Sequence, residues 1–574
     1  MRIKINLTGL IFFVFIFIIS NTGLAVPPPE QETGGQERMR QMQETEKALR
    51  EKIETKEVTP SIEKNLPEAA APEAPGQKVF VRKINVKGYM LFSEQKIKDI
   101  ITPFENKELD LREMQKVADL ITDLYRSKGY ITSRAYLPPQ KIGEGVVEIS
   151  ILESTMGDIE VKGNRFFKAN IFKNKIAMKK GDPFNYNILK KGLVAINERP
   201  DRKARAVLMP AKEAGGTDTV LEVKDNLPVH VQMGWDNFGS RYIDRNRYNT
   251  SLTHNNITGH DDSLTLQYQF ADEDEQYNLR SLRYLFPVNN GLDIGFTALQ
   301  TKSSLTKEYE PLVSRGKSTL YSIYAAQSLI KTDKTILNLN FGFDYKDIFN
   351  FQLGQMTSRD RMRIIKTSLD LDIRDKSGRT IITNEISHGI PNIMGGLKEQ
   401  DSTASRSGSG GAFTRDNINL LRLQKMPLDS TLLWKSQFQF SPYILTSSEQ
   451  FQIGGIANVR GYPAAEYVGD SGCSMTWEYT IPPYGIPKNI KVPLSKGTLY
   501  DSLRLAAFYD WATVDMRRPA TGEEKNRTLR SPGCGIRINL PENFSARLDF
   551  AWSWDNVASD GHHLHKWVEI TKSF

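Results

Sequence analysis

From Val229 to Phe574 the apolar residues recur at every second position and almost nowhere at helical spacing. Leu264, Leu266, Tyr268 and Phe270 alternate with Thr265, Gln267 and Gln269, and Leu337, Leu339, Phe341, Phe343 and Tyr345 with Asn338, Asn340, Gly342 and Asp344. The same beat runs through Cys473, Met475, Trp477, Tyr479 and Ile481 and through Leu548, Phe550, Trp552 and Trp554. Strands with one apolar and one polar face, and no helices to cover either, suit a sheet closed on itself with lipid outside and water inside. Sixteen candidate strands begin near 229, 246, 262, 276, 291, 317, 335, 361, 378, 412, 431, 472, 502, 530, 543 and 563. Short polar turns such as 288–291, 331–334, 375–378 and 427–430 join even to odd strands, while long loops such as 389–411, 446–471 and 516–529 join odd to even ones. The long connection before 502 is an exception. Lopsided loops are what a barrel in an outer membrane needs, and nothing in a soluble β-sandwich requires them. An even strand count also returns the last strand, ending on Phe574, beside the first.

Composition agrees by exclusion. Only 39% of the 574 residues are hydrophobic, and after the first twenty no run of 18 apolar residues occurs, so spanning helices are not expected beyond the N-terminus. Arg2 and Lys4 ahead of the apolar stretch Leu10–Ile19, with small residues Gly23-Leu24-Ala25 following, read as a signal peptide over 1–25 that directs export; a signal anchor is the rival. The net charge of +8 is dispersed without a basic block, which gives nucleic acid binding little support. Cys473 and Cys534 are expected to face outward on non-neighbouring strands, unbridged.

Between the signal and the barrel lie two other regions. Residues 26–78 combine a charged helix over Glu37–Lys56, either a spacer or a reversible pore plug, with a Pro/Ala/Glu-rich linker over Pro60–Pro75 that reads as extended and flexible. Residues 79–227 contain a repeat: Ile84-Asn85-Val86-Lys87-Gly88 returns as Ile159-Glu160-Val161-Lys162-Gly163, and Phe92, Lys98 and Ile101 return as Phe167, Lys173 and Ile176. Each copy reads β-α-α-β-β, with boundaries at 79–153 and 154–227; in the first, Met114, Val117, Leu120, Ile121 and Leu124 mark one helix face.

Face assignment on the strand Leu503–Trp511 puts Leu503, Leu505, Ala507, Tyr509 and Trp511 outside and Arg504, Ala506, Phe508 and Asp510 inside. A carboxylate in a barrel wall benefits from an arginine partner. One candidate is Arg460, in the Gly-rich loop Asn458-Val459-Arg460-Gly461-Tyr462; the other reading pairs Asp510 with a neighbouring strand and leaves Arg460 as a solvated loop charge. If Arg460 is the partner, Gly461 permits a tight backbone, and Tyr462 and Phe508 pack beside the pair. His562, His563 and His565 read as a solvated loop without metal-ligand spacing, and no phosphate loop or nucleophile elbow is present.

Tyr125-Arg126-Ser127-Lys128-Gly129-Tyr130 followed by Ala135-Tyr136-Leu137-Pro138-Pro139-Gln140 resembles the hallmark of the first POTRA domain of two-partner secretion transporters (the TpsB family of haemolysin secretion/activation proteins), themselves related to BamA-type assembly proteins. The repeat is similar to tandem POTRA domains, and Val459–Tyr462 to the conserved loop motif of that superfamily. The resemblance implies a 16-stranded membrane β-barrel over 228–574, two periplasmic α+β POTRA domains, and an inward-folded loop 446–471 locked through Val459, Arg460, Gly461 and Tyr462 onto Phe508 and Asp510. It implies a POTRA signature of Tyr125, Gly129, Tyr130, Tyr136, Leu137, Pro138, Pro139 and Gln140. The implied activity is a pore, neither an enzyme nor cofactor-dependent, in the outer membrane of a Gram-negative bacterium. Its partners would be membrane lipid and an unfolded secreted exoprotein, met by a monomeric pore without ATP or nucleic acid. A BamA-like inserter of other barrels is the alternative; a passive solute porin leaves the POTRA pair unexplained.

Overall fold

The computed structural model describes residues 62–64 and 78–574, apart from 214, 274, 275, 290, 333, 494, 521 and 556. The signal segment and the helix expected over 37–56 lie outside the described residues. Among the described residues no helix is long and apolar enough to cross a membrane.

The C-terminal region is a closed barrel of 16 antiparallel strands. Its first half comprises β10 (Val229–Asp236), β11 (Arg247–His254), β12 (Ser263–Phe270), β13 (Tyr277–Pro287), β14 (Leu292–Ser304), β15 (Arg315–Lys331), β16 (Thr335–Gln352) and β17 (Gln355–Asp375). Its second half comprises β18 (Gly378–Gly389), β19 (Phe413–Lys425), β20 (Thr431–Phe440), β23 (Ser471–Ile481), β24 (Leu503–Asp515), β25 (Asn526–Leu540), β26 (Phe544–Trp552) and β27 (Leu564–Ser573). The period-two pattern is realised as two faces: on β24, Leu505 and Tyr509 are exposed while Ala506, Phe508, Asp510 and Ala512 are buried. Both cysteines are free.

Two strands start earlier than the reading above, the fourteenth at Asn526 rather than near 530 and the eighth by more. The eighth was expected to start near 361, but β17 begins at Gln355 and runs 21 residues, and β16 runs 18, joined across only Leu353 and Gly354. Both residues have positive φ, which lets the chain reverse in two residues. β15 follows β16 to Phe351, but the ladder of β17 with β18 stops at Ile364↔Gly389, so β17 runs past that neighbour. The β16–β17 ladder joins 18 residue pairs, from Thr335↔Ile373 to Gln352↔Gln355. The closing seam, β10 with β27, joins five, from Gln232↔Ser573 to Asp236↔Glu569, and Phe574 extends it by exchanging backbone hydrogen bonds with Val231.

The first repeat unit folds as β2 (Val79–Val81), β3 (Lys83–Lys87), α1 (Glu94–Ile101), β4 (Lys107–Leu109), α2 (Leu111–Ser127), β5 (Arg134–Tyr136) and β6 (Val146–Leu152). Helix α2 starts with a capping box between Asp110 and Glu113 and buries Met114, Val117, Ile121 and Tyr125 against the sheet. Leu124 packs at the margin of that core, whereas Leu120, expected on the same face, is 38% exposed at the edge of the stripe. The second unit has β7 (Thr155–Lys162), α3 (Ala169–Lys173), α4 (Tyr186–Asn197), β8 (Arg202–Pro210) and β9 (Gly216–Asp225).

Within the expected linker, Ile62–Lys64 is a strand, β1, paired in parallel with β8 as Ile62↔Ala206, Glu63↔Val207 and Lys64↔Leu208. The sheet order β1-β8-β9-β7 shows why: β8 would otherwise offer an unpaired edge of N–H and C=O groups.

The joint between the second unit and the barrel is charged and buried. Arg202 donates to Asp261, in the turn between β11 and β12, at 2.6 and 2.9 Å, and its guanidinium lies over Phe167 and Phe172. Lys175 at 3.2 Å also faces Asp261, and Asp201 bonds His230 of β10 at 2.6 Å.

Candidate functional site

The segment between β20 and β23 turns into the barrel. A 3-10 turn, Ser447–Glu449, leads to a small hairpin of β21 (Phe451–Ile453) and β22 (Tyr467–Gly469), and the residues between form the tip. Almost every residue from Leu445 to Tyr462 is buried. Gly454 and Gly455 have φ of 108° and 81°, a region open to glycine, and start the tip. The Asn458 amide closes it, accepting from Gly454 N–H at 2.8 Å and donating to the Gln452 carbonyl at 2.9 Å.

Arg460, 2% exposed, projects from this tip to the wall. Its Nε and Nη2 each donate to Asp510 at 2.8 Å, a two-pronged pair, and its backbone N–H adds a third bond at 3.2 Å. Nη1 donates to Glu478 of β23 at 2.8 Å and to Asp549 of β26 at 3.3 Å. The Phe508 ring lies beneath the guanidinium, 3.3 Å from its carbon to the ring centre. Such a pair gains geometric specificity as well as charge–charge energy.

Three carboxylates around one arginine would repel each other without further cations. Arg537 of β25 supplies one, donating to Glu478 at 2.9 Å and Asp549 at 2.5 Å, and Arg547 another, 2.7 Å from Asp549. Trp567 of β27 completes the seat by donating Nε1 to the Arg460 carbonyl at 2.7 Å. Neither Glu478, Asp549, Arg537, Arg547 nor Trp567 was singled out from sequence. Their signal was parity: Glu478 lies between Trp477 and Tyr479, and Asp549 between Leu548 and Phe550, each at an inward position of its strand.

Two packing expectations change. Gly461 has no left-handed backbone; what it lacks is room, since a Cβ there would meet the Trp552 carbonyl oxygen at 2.4 Å and Ser531 Oγ at 2.5 Å. Tyr462 does not flank the ion pair in the way Phe508 does. It packs with Val459, Ile453, Ala512, Val514, Leu529 and Ala558, and its hydroxyl accepts from Asp555 N–H at 3.2 Å. The histidine reading is also corrected in part. His562 and His563 are exposed, but His565 is buried, bonded to Asp560 at 3.0 Å and stacked on Trp567. Among the described residues no group of three His, Cys, Asp or Glu could hold a metal ion.

The Tyr125 to Gln140 set lies in the first unit, far along the chain from the loop. Tyr125 is fully buried, packs edge-on against Phe92 and donates to Glu153 at 2.5 Å. Burial first, and then the Glu153 carboxylate, push its hydroxyl well above the ordinary tyrosine range. Gly129, at φ 93°, ends α2, and its carbonyl accepts from the N–H of Tyr186 at the start of α4. Tyr130 returns its N–H to the Tyr125 carbonyl at 3.0 Å. Tyr136 is 42% exposed at the end of β5, Leu137 packs on the core, and Pro138 and Pro139 carry the chain off the sheet. Gln140 then replaces the missing strand, its amide bonding both the N–H and the C=O of Glu148 at 2.7 Å. These residues build the unit and its contact with the next one.

A family model described as Haemolysin secretion/activation protein ShlB/FhaC/HecB matches residues 215–500, and another, POTRA domain, ShlB-type, matches residues 79–154. The Heme/hemopexin transporter protein HuxB of Haemophilus influenzae (strain 86-028NP) is 24% identical over 490 residues, covering 83% of each chain. The outer membrane transporter CdiB of Escherichia coli O6:K15:H31 is 22% identical over 68% of this chain and 67% of its own. A solved structure of CdiB from Escherichia coli superposes with a TM-score of 0.71 at 18% identity, covering 96% of this chain and 100% of that one.

Proposed function

This chain belongs to the haemolysin secretion/activation protein family of outer-membrane transporters, and from that premise we propose that its barrel passes an unfolded exoprotein to the cell surface past an inward-folded loop held by Arg460. Membership makes it a transporter of secreted protein rather than an enzyme, with its POTRA domains in the periplasm. The observation that carries the finer reading is the guanidinium of Arg460, buried inside a closed barrel and paired with Asp510 on the wall. A loop that only lined the lumen would have no need of a buried two-pronged ion pair. A loop that must dock in one place and leave again gains from an attachment that is strong, directional and reversible.

Client recognition is assigned to the POTRA units through added-strand pairing, which uses backbone groups and tolerates many sequences. The outer edge of β8 supports this, because it already accepts a short extended segment, Ile62–Lys64, in parallel register. A client strand adding there would have to displace β1. Direction would come from folding of the client outside the cell, since no nucleotide site is implied by the sequence. The pore acts as a monomer within the lipid bilayer.

The test is transport into proteoliposomes holding the full chain. An extended fragment of the exoprotein that its depletion removes from the cell surface should become protease-protected without nucleotide, and the same fragment stapled by an internal disulfide should not. Equal entry of the stapled fragment, or a requirement for ATP, would overturn the reading. Depletion in cells distinguishes secretion from barrel assembly: one exoprotein should be lost from the surface, with other outer-membrane proteins at normal levels.

A further inference from the structure

Eleven residues before Arg460 the same loop carries a second buried charge of opposite sign, Glu449, 2% exposed. Its carboxylate accepts from Lys346 Nζ of β16 at 2.7 Å and from Arg415 Nη1 of β19. Its backbone carbonyl accepts from Gln439 of β20 at 3.0 Å, and the neighbouring Ser447 N–H donates to Ser405 Oγ at 3.0 Å. The cations are themselves enclosed, Lys346 with 13% and Arg415 with 4% of the side chain exposed. Other cations on this wall have wall carboxylates of their own: Lys366 pairs with Asp344 at 2.8 Å and Arg363 with Asp347 at 2.9 Å. Arg415 has the wall carboxylate of Glu385 only at 3.9 Å, and for both Lys346 and Arg415 the short contact is made by a loop residue, Glu449.

The two attachments use separate stretches of the wall. In the order of the 16 barrel strands, the cations around Glu449 stand on the seventh (β16) and tenth (β19), and the carboxylates around Arg460 on the twelfth (β23), thirteenth (β24) and fifteenth (β26). The loop tip thus offers a cation to acidic side chains on one stretch of wall, and the loop base an anion to basic side chains on another. Removing either loop residue strands buried charge on a different part of the barrel, which is costly at both places.

We infer that Glu449 is a positioning residue, a second latch of inverse polarity, and that full withdrawal of the loop requires both latches to open. Releasing Arg460 alone lets the tip swing about an anchored base; releasing Glu449 alone frees the base beneath a pinned tip. The inference rests on the reading of this loop as the movable element of the pore.

The full chain with Cys473→Ser, Cys534→Ser and Ser447→Cys is placed in liposomes, and the rate of modification at position 447 by a bulky, membrane-impermeant maleimide is measured. Heat-modifiable mobility in detergent gels checks that each variant's barrel is folded. Glu449→Gln, close in shape to the parent, should raise the rate at least about tenfold through local opening, and Arg460→Ala added to it should raise it further. The exchange Glu449→Lys with Lys346→Glu, which leaves the net charge of the cluster unchanged, should restore a rate within about threefold of the parent, an outcome a purely steric role would not produce. An unchanged rate in folded Glu449→Gln, or no rescue by the exchange, would overturn the second latch. Accelerated labelling with unaltered single-channel conductance and secretion would instead leave the latch standing and sink the reading of the loop as a gate.

Discussion

Arg460→Ala strands one carboxylate more than the others. Glu478 keeps Arg537 at 2.9 Å, and Asp549 keeps Arg537 and Arg547 at 2.5 and 2.7 Å. Asp510, 0% exposed, loses both side-chain bonds at 2.8 Å and the Arg460 that held them. Removing one member of a buried pair costs about 3–5 kcal/mol, and loss of the contact with Phe508 adds roughly 0.5–2 kcal/mol. If the loop tip leaves its seat rather than bear this, the docked-to-released ratio falls by about two and a half to five decades at ~1.4 kcal/mol per decade. Arg460→Lys keeps the charge but not the two-pronged geometry, so its effect should fall between parent and alanine. In Arg460→Ala with Asp510→Ala the stranded carboxylate is gone, and the double variant should be less perturbed than the sum of the singles by at least about 2 kcal/mol. Planar bilayers read this as open probability, and secretion assays as surface exoprotein, which should drop in each single variant. Singles within about 0.5 kcal/mol of parent, or additive singles, would refute the argument, since that is the scatter of independent sites.

Gly461→Ala should mimic loop release without removing any charge, because its Cβ would strike the Trp552 carbonyl; conductance like that of Arg460→Ala is the expected reading. At the POTRA–barrel joint, Asp261→Ala should destabilise more than Arg202→Ala, because the first strands a fully buried guanidinium while the second leaves Asp261 with Lys175 at 3.2 Å. Proteolysis rates at residues 226–228 should show the difference, with about 3–5 kcal/mol expected for the first. Replacing Ile62–Lys64 by Gly-Ser-Gly should expose the β8 edge and tighten binding of an extended client peptide several-fold in titration calorimetry; weaker binding would place the client elsewhere. Burial opposes ionisation of Asp560, but the His565 hydrogen bond and charge and the His562 N–H outweigh it and hold the carboxyl at about 2. A depressed carboxylate stabilises above its ordinary value of about 3.9 and loses that contribution as pH falls toward about 2. Hydrogen exchange of loop 553–563 should therefore be steady from about pH 7 to 5 once corrected for intrinsic rates, and show lost protection below about pH 3.

The barrel was legible because lipid outside and water inside force an alternation that every strand must repeat. Leu503–Trp511 shows it at single-residue resolution, and the strand count and closure followed. Gln355–Asp360 was missed since β17 there extends past β18, where neither face need be apolar, and Arg359, Asp360 and Arg361 hide the beat. Ile62–Lys64 carries no period because three residues cannot; it is a strand only because β8 offers it an edge. The pairing of Arg460 with Asp510 was reachable from one strand's parity and one loop motif. Its companions were not, because Glu478, Asp549, Arg537 and Trp567 come together only once the five strands β23 to β27 are set side by side. Glu449 was missed for a related reason: a lone glutamate before Gln450 has no signature until its cations arrive from β16 and β19.

The uneven ladders give the barrel wall an uneven stiffness. Strain applied to a closed ring of strands is borne by every inter-strand junction in series, and the junction with the fewest bonds yields first. Eighteen pairs bind β16 to β17 and five bind β10 to β27, so the wall is a stiff back with a compliant front. Trp567, whose indole grips the Arg460 carbonyl, stands on β27 at that compliant front. The loop base, by contrast, is moored through Glu449 to β16 on the stiff back. A client pressing into the lumen would thus widen the ring where the tip is held and leave the base where it is, so that dilation itself loosens the tip before any side chain is touched.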